Sequence, residues 1–264
     1  MALSETRTVD TSLGKVSFGD SGAGPTRMVL HSLLTDRTAF DDVIEPLGGR
    51  FVTVDLPGFG ASEPAGPDID EYAHRVGALI ESMELAADDL TLIGNGLGGF
   101  VALGTAIHHG DLFDRLLLVG CGAGFPESAK GAFTAMIDMV SSGGMEAVIP
   151  IAVRRIFTED YLATHPQMVE ARADVLRKTD LVAFVTACTA LQSLDYTVLA
   201  PTVSNPTMIV VGEDDEATPP LLADDLHRLI PGSNLVRLPG VAHAPQIQDP
   251  DGFVNTTRQF LEGR

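Results

Sequence analysis

Short, almost unbroken apolar runs recur along the chain. They are Met28-Val29-Leu30, Phe51-Val52-Thr53-Val54, Leu90-Thr91-Leu92-Ile93, Leu116-Leu117-Leu118-Val119 and Met208-Ile209-Val210-Val211. Runs that are apolar at successive positions suit strands covered on both faces, as in a parallel sheet. Helical spacing appears between several of them. Ile69, Tyr72, Ala73, Val76, Ile80 and Met83 share one face of a helix near 69–86, and Phe253, Thr257, Phe260 and Leu261 do the same near the end. Thr8 to Phe18, around Leu13-Gly14, reads as an antiparallel hairpin. This alternation of strand and helix predicts an open α/β sheet, mostly parallel, with flanking helices.

The alternation lapses between about Gly122 and Asn205, where the pattern is helical and punctuated at Gly143-Gly144, Pro150, Pro166 and Pro201. Segments 167–178 and 181–193 are amphipathic. A strand pattern resumes at Met208, so the helices read as an insertion. The expected organisation is one core built from residues 1–122 and 206–264, with an inserted helical cap, or lid, at 123–205.

Composition narrows the partners. The 264 residues include 36 acidic and 17 basic side chains, for a net charge of −19, and 45 % are apolar, enough for one sizeable core. A nucleic-acid partner needs a basic face, and the largest basic cluster is Arg154-Arg155. Only three lysines occur and no apolar run reaches 18 residues, so no membrane association is expected. Two cysteines, Cys121 and Cys188, make no disulfide framework, and the polar stretch Met1 to Asp10 lacks the apolar core of a signal peptide. A cytoplasmic protein acting on a small molecule is the expectation, with homo-oligomerisation left open.

The chemistry concentrates at Leu92-Ile93-Gly94-Asn95-Gly96-Leu97-Gly98-Gly99-Phe100, a strand entering a helix through a tight turn. Gly94, Gly96 and Gly99 satisfy G-x-G-x-x-G, but that dinucleotide fingerprint should open the first βαβ unit and find an acid at the end of the next strand. Here the next strand ends at Val119-Gly120-Cys121, with no carboxylate. The alternative is a nucleophile elbow, G-x-S-x-G, in which position 96 should be Ser. Asp55-Leu56-Pro57-Gly58-Phe59-Gly60-Ala61-Ser62 follows an earlier strand. A late strand ends at Gly212-Glu213-Asp214-Asp215, and Gly240-Val241-Ala242-His243 follows the last strand-like run. Elbow, acid, then His is the chain order of the α/β-hydrolases.

The chain resembles that superfamily along nearly its whole length. It is most similar to the 3-oxoadipate enol-lactonase branch, through His31-Ser32-Leu33-Leu34-Thr35-Asp36, Asp215-Glu216-Ala217-Thr218-Pro219-Pro220 and the cap segment Arg155-Ile156-Phe157-Thr158. Asn95 is also similar to its counterpart in C–C bond hydrolases of meta-cleavage pathways. The departures are Ile156, where enol-lactonases usually carry Trp, and Ala244, where C–C hydrolases usually carry Trp. The largest is Gly96, because the family's attacking hydroxyl would stand there.

The resemblance implies that Asp215 orients His243 and that the backbone amides of Leu33 and Leu97 form an oxyanion hole. Asp215 fits the spacing better than Asp214, and Glu213, Asp214 and Glu216 are expected to be solvated. Ser32 is expected to contact substrate rather than replace the nucleophile, and Arg154 or Arg155 to receive a substrate carboxylate. Cys121 is expected to be a small buried hydrophobe, His31 a loop support, and His108-His109 a helix end rather than a metal site. No metal or cofactor is expected.

These features favour a hydrolase of a small ester, enol-lactone or vinylogous ketone, inactivated by a Ser→Gly change at position 96 that leaves the fold intact and removes the covalent route. One alternative is an enzyme of the same fold that needs no serine: a hydratase, lyase, decarboxylase or cofactor-free oxygenase using the His243–Asp215 dyad. Another is a pseudoenzyme that binds a small molecule.

Overall fold

The computed structural model describes residues 5–263; Met1 to Ser4 and Arg264, the outermost positions of the expected core, lie outside the described residues. Eight strands form one sheet: β1 Thr6–Thr11, β2 Gly14–Gly22, β3 Thr26–Leu30, β4 Arg50–Val54, β5 Leu90–Asn95, β6 Arg115–Val119, β7 Thr207–Gly212 and β8 Asn234–Leu238. Their order is β1-β2-β4-β3-β5-β6-β7-β8. β2 runs antiparallel to both β1 and β4, and every other neighbouring pair is parallel. Strands β3, β5 and β7 are buried at every position, which explains their continuous apolar spelling. The edge strands β1 and β8 carry Arg7, Asp10 and Arg237 and are largely exposed or half-buried, which disfavours edge-to-edge pairing with another chain.

Helices flank the sheet: α1 Asp41–Leu47, α2 Ile69–Ser82, α3 Leu97–His109, and, beyond a second group, α9 Pro220–Leu229, α10 Pro245–Gln248 and α11 Pro250–Leu261. α2 begins where the Asp68 carboxylate accepts the Asp70 amide, 3.0 Å away. It ends at Ser82, four residues short of the predicted limit, because Glu84 adopts a left-handed φ of 50° that no helix continues. The second group is α4 Glu127–Gly143, α5 Met145–Ile156, α6 Glu159–Thr164, α7 Pro166–Lys178 and α8 Leu181–Ser193. These five helices sit between β6 and β7 and add no strand to the sheet. α4 packs on α5 and α8, and α5 on α7. Gln248 Nε2 donates to Thr158 Oγ1 at 3.0 Å, and Arg172 approaches Asp36 at 3.7 Å, so the group is tied to loops leaving β8 and β3.

The parallel strands point β3, β5, β6, β7 and β8 toward one edge, where loops from open α/β sheets gather functional groups. That edge depends on close backbone contact. A Cβ on Gly98 would strike the carbonyl of Leu30, and one on Gly94 would strike that of Gly98. Gly98 N also donates to His31 O at 2.9 Å, which locks the start of α3 to the end of β3. Gly98→Ala is expected to cost about 1–3 kcal/mol through overpacking against backbone that cannot retreat. Thermal unfolding should register it at roughly 2–4 °C per kcal/mol for a chain near this size. Gly131→Ala is the comparison: it lies inside α4 with open space around its Cβ, and should gain about 0.5–1 kcal/mol of helix propensity.

Candidate active site

Five strand ends supply the site. β3 delivers Ser32 and Leu33, β5 turns through Gly96 into α3, β6 ends beside Gly120, and the loops after β7 and β8 carry Asp215 and His243. Gly96 has φ 54° and ψ −119°, the left-handed turn that a tight strand-to-helix elbow demands, and its amide donates to Val119 O at 2.9 Å.

Asp215 and His243 are both 3 % exposed. His243 Nδ1 lies 2.9 Å from Asp215 Oδ2. Asp215 Oδ1 accepts the Ala217 and Thr218 amides, each at 2.8 Å, and Oδ2 accepts the Thr218 hydroxyl at 2.8 Å. With Nδ1–H donating to the carboxylate, Nε2 is the accepting nitrogen of the ring. It accepts from the Ser32 hydroxyl, 3.1 Å away. Behind the ring, Asn95 Nδ2 donates to His243 O at 2.9 Å, and Asn95 Oδ1 accepts from Gln246 Nε2 at 3.0 Å. The end of β5 thereby pins the histidine loop.

Ser32 is 1 % exposed, and among the described residues its hydroxyl has His243 as its only partner. Ser32 lines the cavity, as a substrate-contacting residue would, and its hydroxyl also reaches the imidazole. A Cβ built on Gly96 would lie 2.5 Å from Ser32 Oγ and 2.6 Å from His243 Nε2. Glycine at 96 is what lets Ser32 reach the imidazole.

Leu33 and Leu97 line the same cavity, and among the described residues neither amide is engaged in another hydrogen bond. The cavity measures about 40 Å³ and is largely apolar, with Phe100, Phe133, Met136 and Leu191 in its wall. A second hollow of about 250 Å³ adjoins it and shares Phe125, Phe133, Arg155 and Ala217. The two arginines separate here. Arg154 is exposed and lines neither hollow, whereas Arg155 is half-buried and lines both. Arg155 has no hydrogen-bond or ion-pair partner among the described residues.

The remaining candidates fall outside this cluster. Within the acidic run, Asp215 is buried while Glu213, Asp214 and Glu216 are exposed. Cys121 is buried against Gly99, and burial pushes its thiol far above the ordinary range, which removes it as a nucleophile. His108 pairs with Asp70 at 2.9 Å, and His109 Nε2 meets His74 Nδ1 at 2.8 Å. Among the described residues, no three metal-ligating side chains are grouped to hold an ion, and no helix is long and apolar enough to cross a membrane. Sequence reasoning did not single out Thr218, Gln246 or Gly120 for the site. The Asp-x-x-Thr spacing of an Asx turn was the available signal for Thr218. Gly120, at φ 54°, lies where a Cβ would come 3.0 Å from Asp215 Oδ2 and 3.1 Å from His243 Nδ1.

A mostly parallel sheet with a glycine elbow after β5, an acid after β7 and a histidine after β8 defines an α/β enzyme whose site lies on the carboxyl edge. Residues 28–256 match the model of the alpha/beta hydrolase family, and the chain belongs to that family. Its relatives include a pimeloyl-[acyl-carrier protein] methyl ester esterase of Neisseria meningitidis, 30 % identical over 89 % of this chain and 93 % of that one. The 3-oxoadipate enol-lactonase 2 of Acinetobacter baylyi is 25 % identical over 96 % and 94 %. The fold is shared with the crystal structure of an enol-lactonase from Burkholderia xenovorans, with a TM-score of 0.90 and 23 % identity over 97 % of this chain and all of that one.

His31 supports the loop that carries Ser32. Its Nε2 accepts the Leu56 amide at 3.2 Å, so Nδ1 donates to Ser32 O at 2.8 Å, and Phe59 packs on its edge. Burial lowers the His31 pKa below its ordinary 6.5. The unfolded chain therefore takes up a proton that the folded chain resists. This contribution to stability is complete above about pH 6.5 and is lost as pH falls toward the lower folded value. Unfolding measured from pH 7 to 5 should show stability declining, with a shallower decline in His31→Asn.

Proposed function

We propose that this protein hydrolyses a small carboxylic ester or enol-lactone, with His243 as general base and Asp215 as the group that orients it. The observation that carries this reading is convergence. An accepting imidazole nitrogen, backed by a buried carboxylate, faces the same apolar cavity as two uncommitted amides, those of Leu33 and Leu97. Such amides stabilise the oxyanion that develops when a carbonyl is attacked, and they do so most effectively where water is excluded. The relatives named as a methyl ester esterase and an enol-lactonase favour the same reaction class. For a dyad of this kind, His243→Ala should lower kcat on a short aryl ester by roughly 10²–10⁴-fold, and Asp215→Asn by a comparable factor. Esterase turnover that survives in His243→Ala would overturn the reading.

Arg155 supports an acyl group that carries its own carboxylate. Half-buried Arg155 lines both hollows without a hydrogen-bond or ion-pair partner among the described residues, which suits bidentate binding of a carboxylate. Replacing it with Gln should raise KM for the monomethyl ester of a dicarboxylic acid by about 10- to 100-fold, equivalent to one charged hydrogen-bonded contact. The methyl ester of a monocarboxylic acid should be unaffected, as should both substrates in Arg154→Gln. An equal rise for both esters in Arg155→Gln would count against an anionic substrate.

A further inference from the structure

We infer that Ser32, on the loop after β3, is the nucleophile of this chain, an inference that rests on the hydrolase reading above. Four observations carry it. The Ser32 hydroxyl donates to His243 Nε2 at 3.1 Å, the nitrogen left free by the Asp215 contact. It is buried, it lines the cavity, and it has no other partner among the described residues. Its backbone is held firmly: Ser32 N donates to Thr35 Oγ1 at 3.1 Å, while Ser32 O accepts from His31 Nδ1 at 2.8 Å and the Thr35 amide at 3.2 Å. Finally, Gly96 leaves open the place that a side chain would take between Ser32 and His243, with a Cβ only 2.5 Å from Oγ. A serine hydroxyl hydrogen-bonded to a histidine that is itself oriented by a carboxylate is the signature of an activated nucleophile.

The chemistry closes without any other reactant than water. Ser32 Oγ bonds to the ester carbonyl carbon as its proton passes to His243 Nε2, and the carbonyl oxygen takes up negative charge facing the Leu33 and Leu97 amides. Leu33 follows Ser32 directly, and Leu97 opens α3, whose N-terminal dipole favours that charge. Collapse re-forms the carbonyl and breaks the bond to the leaving alkoxide, which receives the proton from Nε2 and departs as the alcohol. Water then attacks the acyl-Ser32 ester, giving one proton to Nε2. The acid departs as Ser32 Oγ recovers that proton.

The test combines labelling with kinetics on the intact protein. An alkyl fluorophosphonate forms an O–P bond to the nucleophilic hydroxyl and releases fluoride, and peptide mass mapping then identifies the modified residue. The expected result is a single adduct on Ser32, absent from His243→Ala. Turnover of a short aryl ester should fall by about 10³-fold or more in Ser32→Ala. The double variant Ser32→Ala with Gly96→Ser guards against a folding defect, since it should recover activity and carry the adduct at position 96. Ester turnover by the unmodified chain that persists in Ser32→Ala, without an adduct, overturns the inference: water, losing a proton to His243 Nε2, then attacks the carbonyl carbon directly and the hydrolase reading stands. An adduct on Ser32 in a chain that turns over no ester or lactone supports the nucleophile and overturns the substrate class. Neither adduct nor turnover overturns both.

Discussion

Everything at the active edge depends on how closely the end of β3 approaches the start of α3. Gly98 has no side chain, so its backbone lies against the Leu30 carbonyl while its amide bonds to His31 O. Gly94 allows the same strand-to-helix turn to fold back over the Gly98 carbonyl. That contact determines that the Ser32–Leu33 loop and the residue-96 elbow face one cavity. Once they do, the adjacent positions of β5, β6 and β7 in the sheet bring Gly120 and Asp215 alongside, and β8 adds His243. A single added methyl at 98 would open this contact, whereas a methyl at an unconfined glycine such as 131 meets nothing.

The machinery around His243 holds itself in place without help from residue 96. Asp215 is fixed by two amides and the Thr218 hydroxyl, and the histidine loop is held from behind by Asn95 and Gln246. None of these bonds involves a side chain at 96. Glycine there also relaxes a backbone conformation that L side chains rarely adopt. The framework and the His243–Asp215 contact thus stand with glycine at 96. What glycine contributes there is local and geometric: a Cβ would stand 2.5 Å from Ser32 Oγ and 2.6 Å from His243 Nε2, where those two groups now meet.

The fold was legible in the sequence because burial on both faces forces continuous apolar spelling, and the five central strands are written that way. The chain order of elbow, acid and histidine singled out Asp215 and His243, which the fold brings into contact at 2.9 Å, since those motifs are local and lie at strand ends. The Ser32–His243 contact spans 211 positions and could not be read from spacing. It arises from where two loops meet in three dimensions and from the absence of one Cβ. The choice between Arg154 and Arg155 was nearer to hand. Val148 and Ala152 are buried on α5, and position 155 falls on their side of the helix, seven and three residues on. Position 154 is turned about 100° away from 155, toward solvent. The helical phase of the cap, read with its neighbours, contained that distinction.

Charge gives the arginine its meaning. In a chain of net charge −19, arginines such as Arg50 and Arg177 lie against carboxylates, Asp20 for the first and Glu146, Glu170 and Asp174 for the second. Among the described residues Arg155 has no such neighbour, although acidic groups are abundant, and it stands half-buried in the wall of the cavity. A cation without a protein partner stays available to pair with an incoming anion. The surrounding negative field opposes that anion at long range, but the field is screened within about 10 Å at ordinary ionic strength. At short range a local cation therefore outweighs the global charge, which is compatible with the anionic substrate proposed for this site.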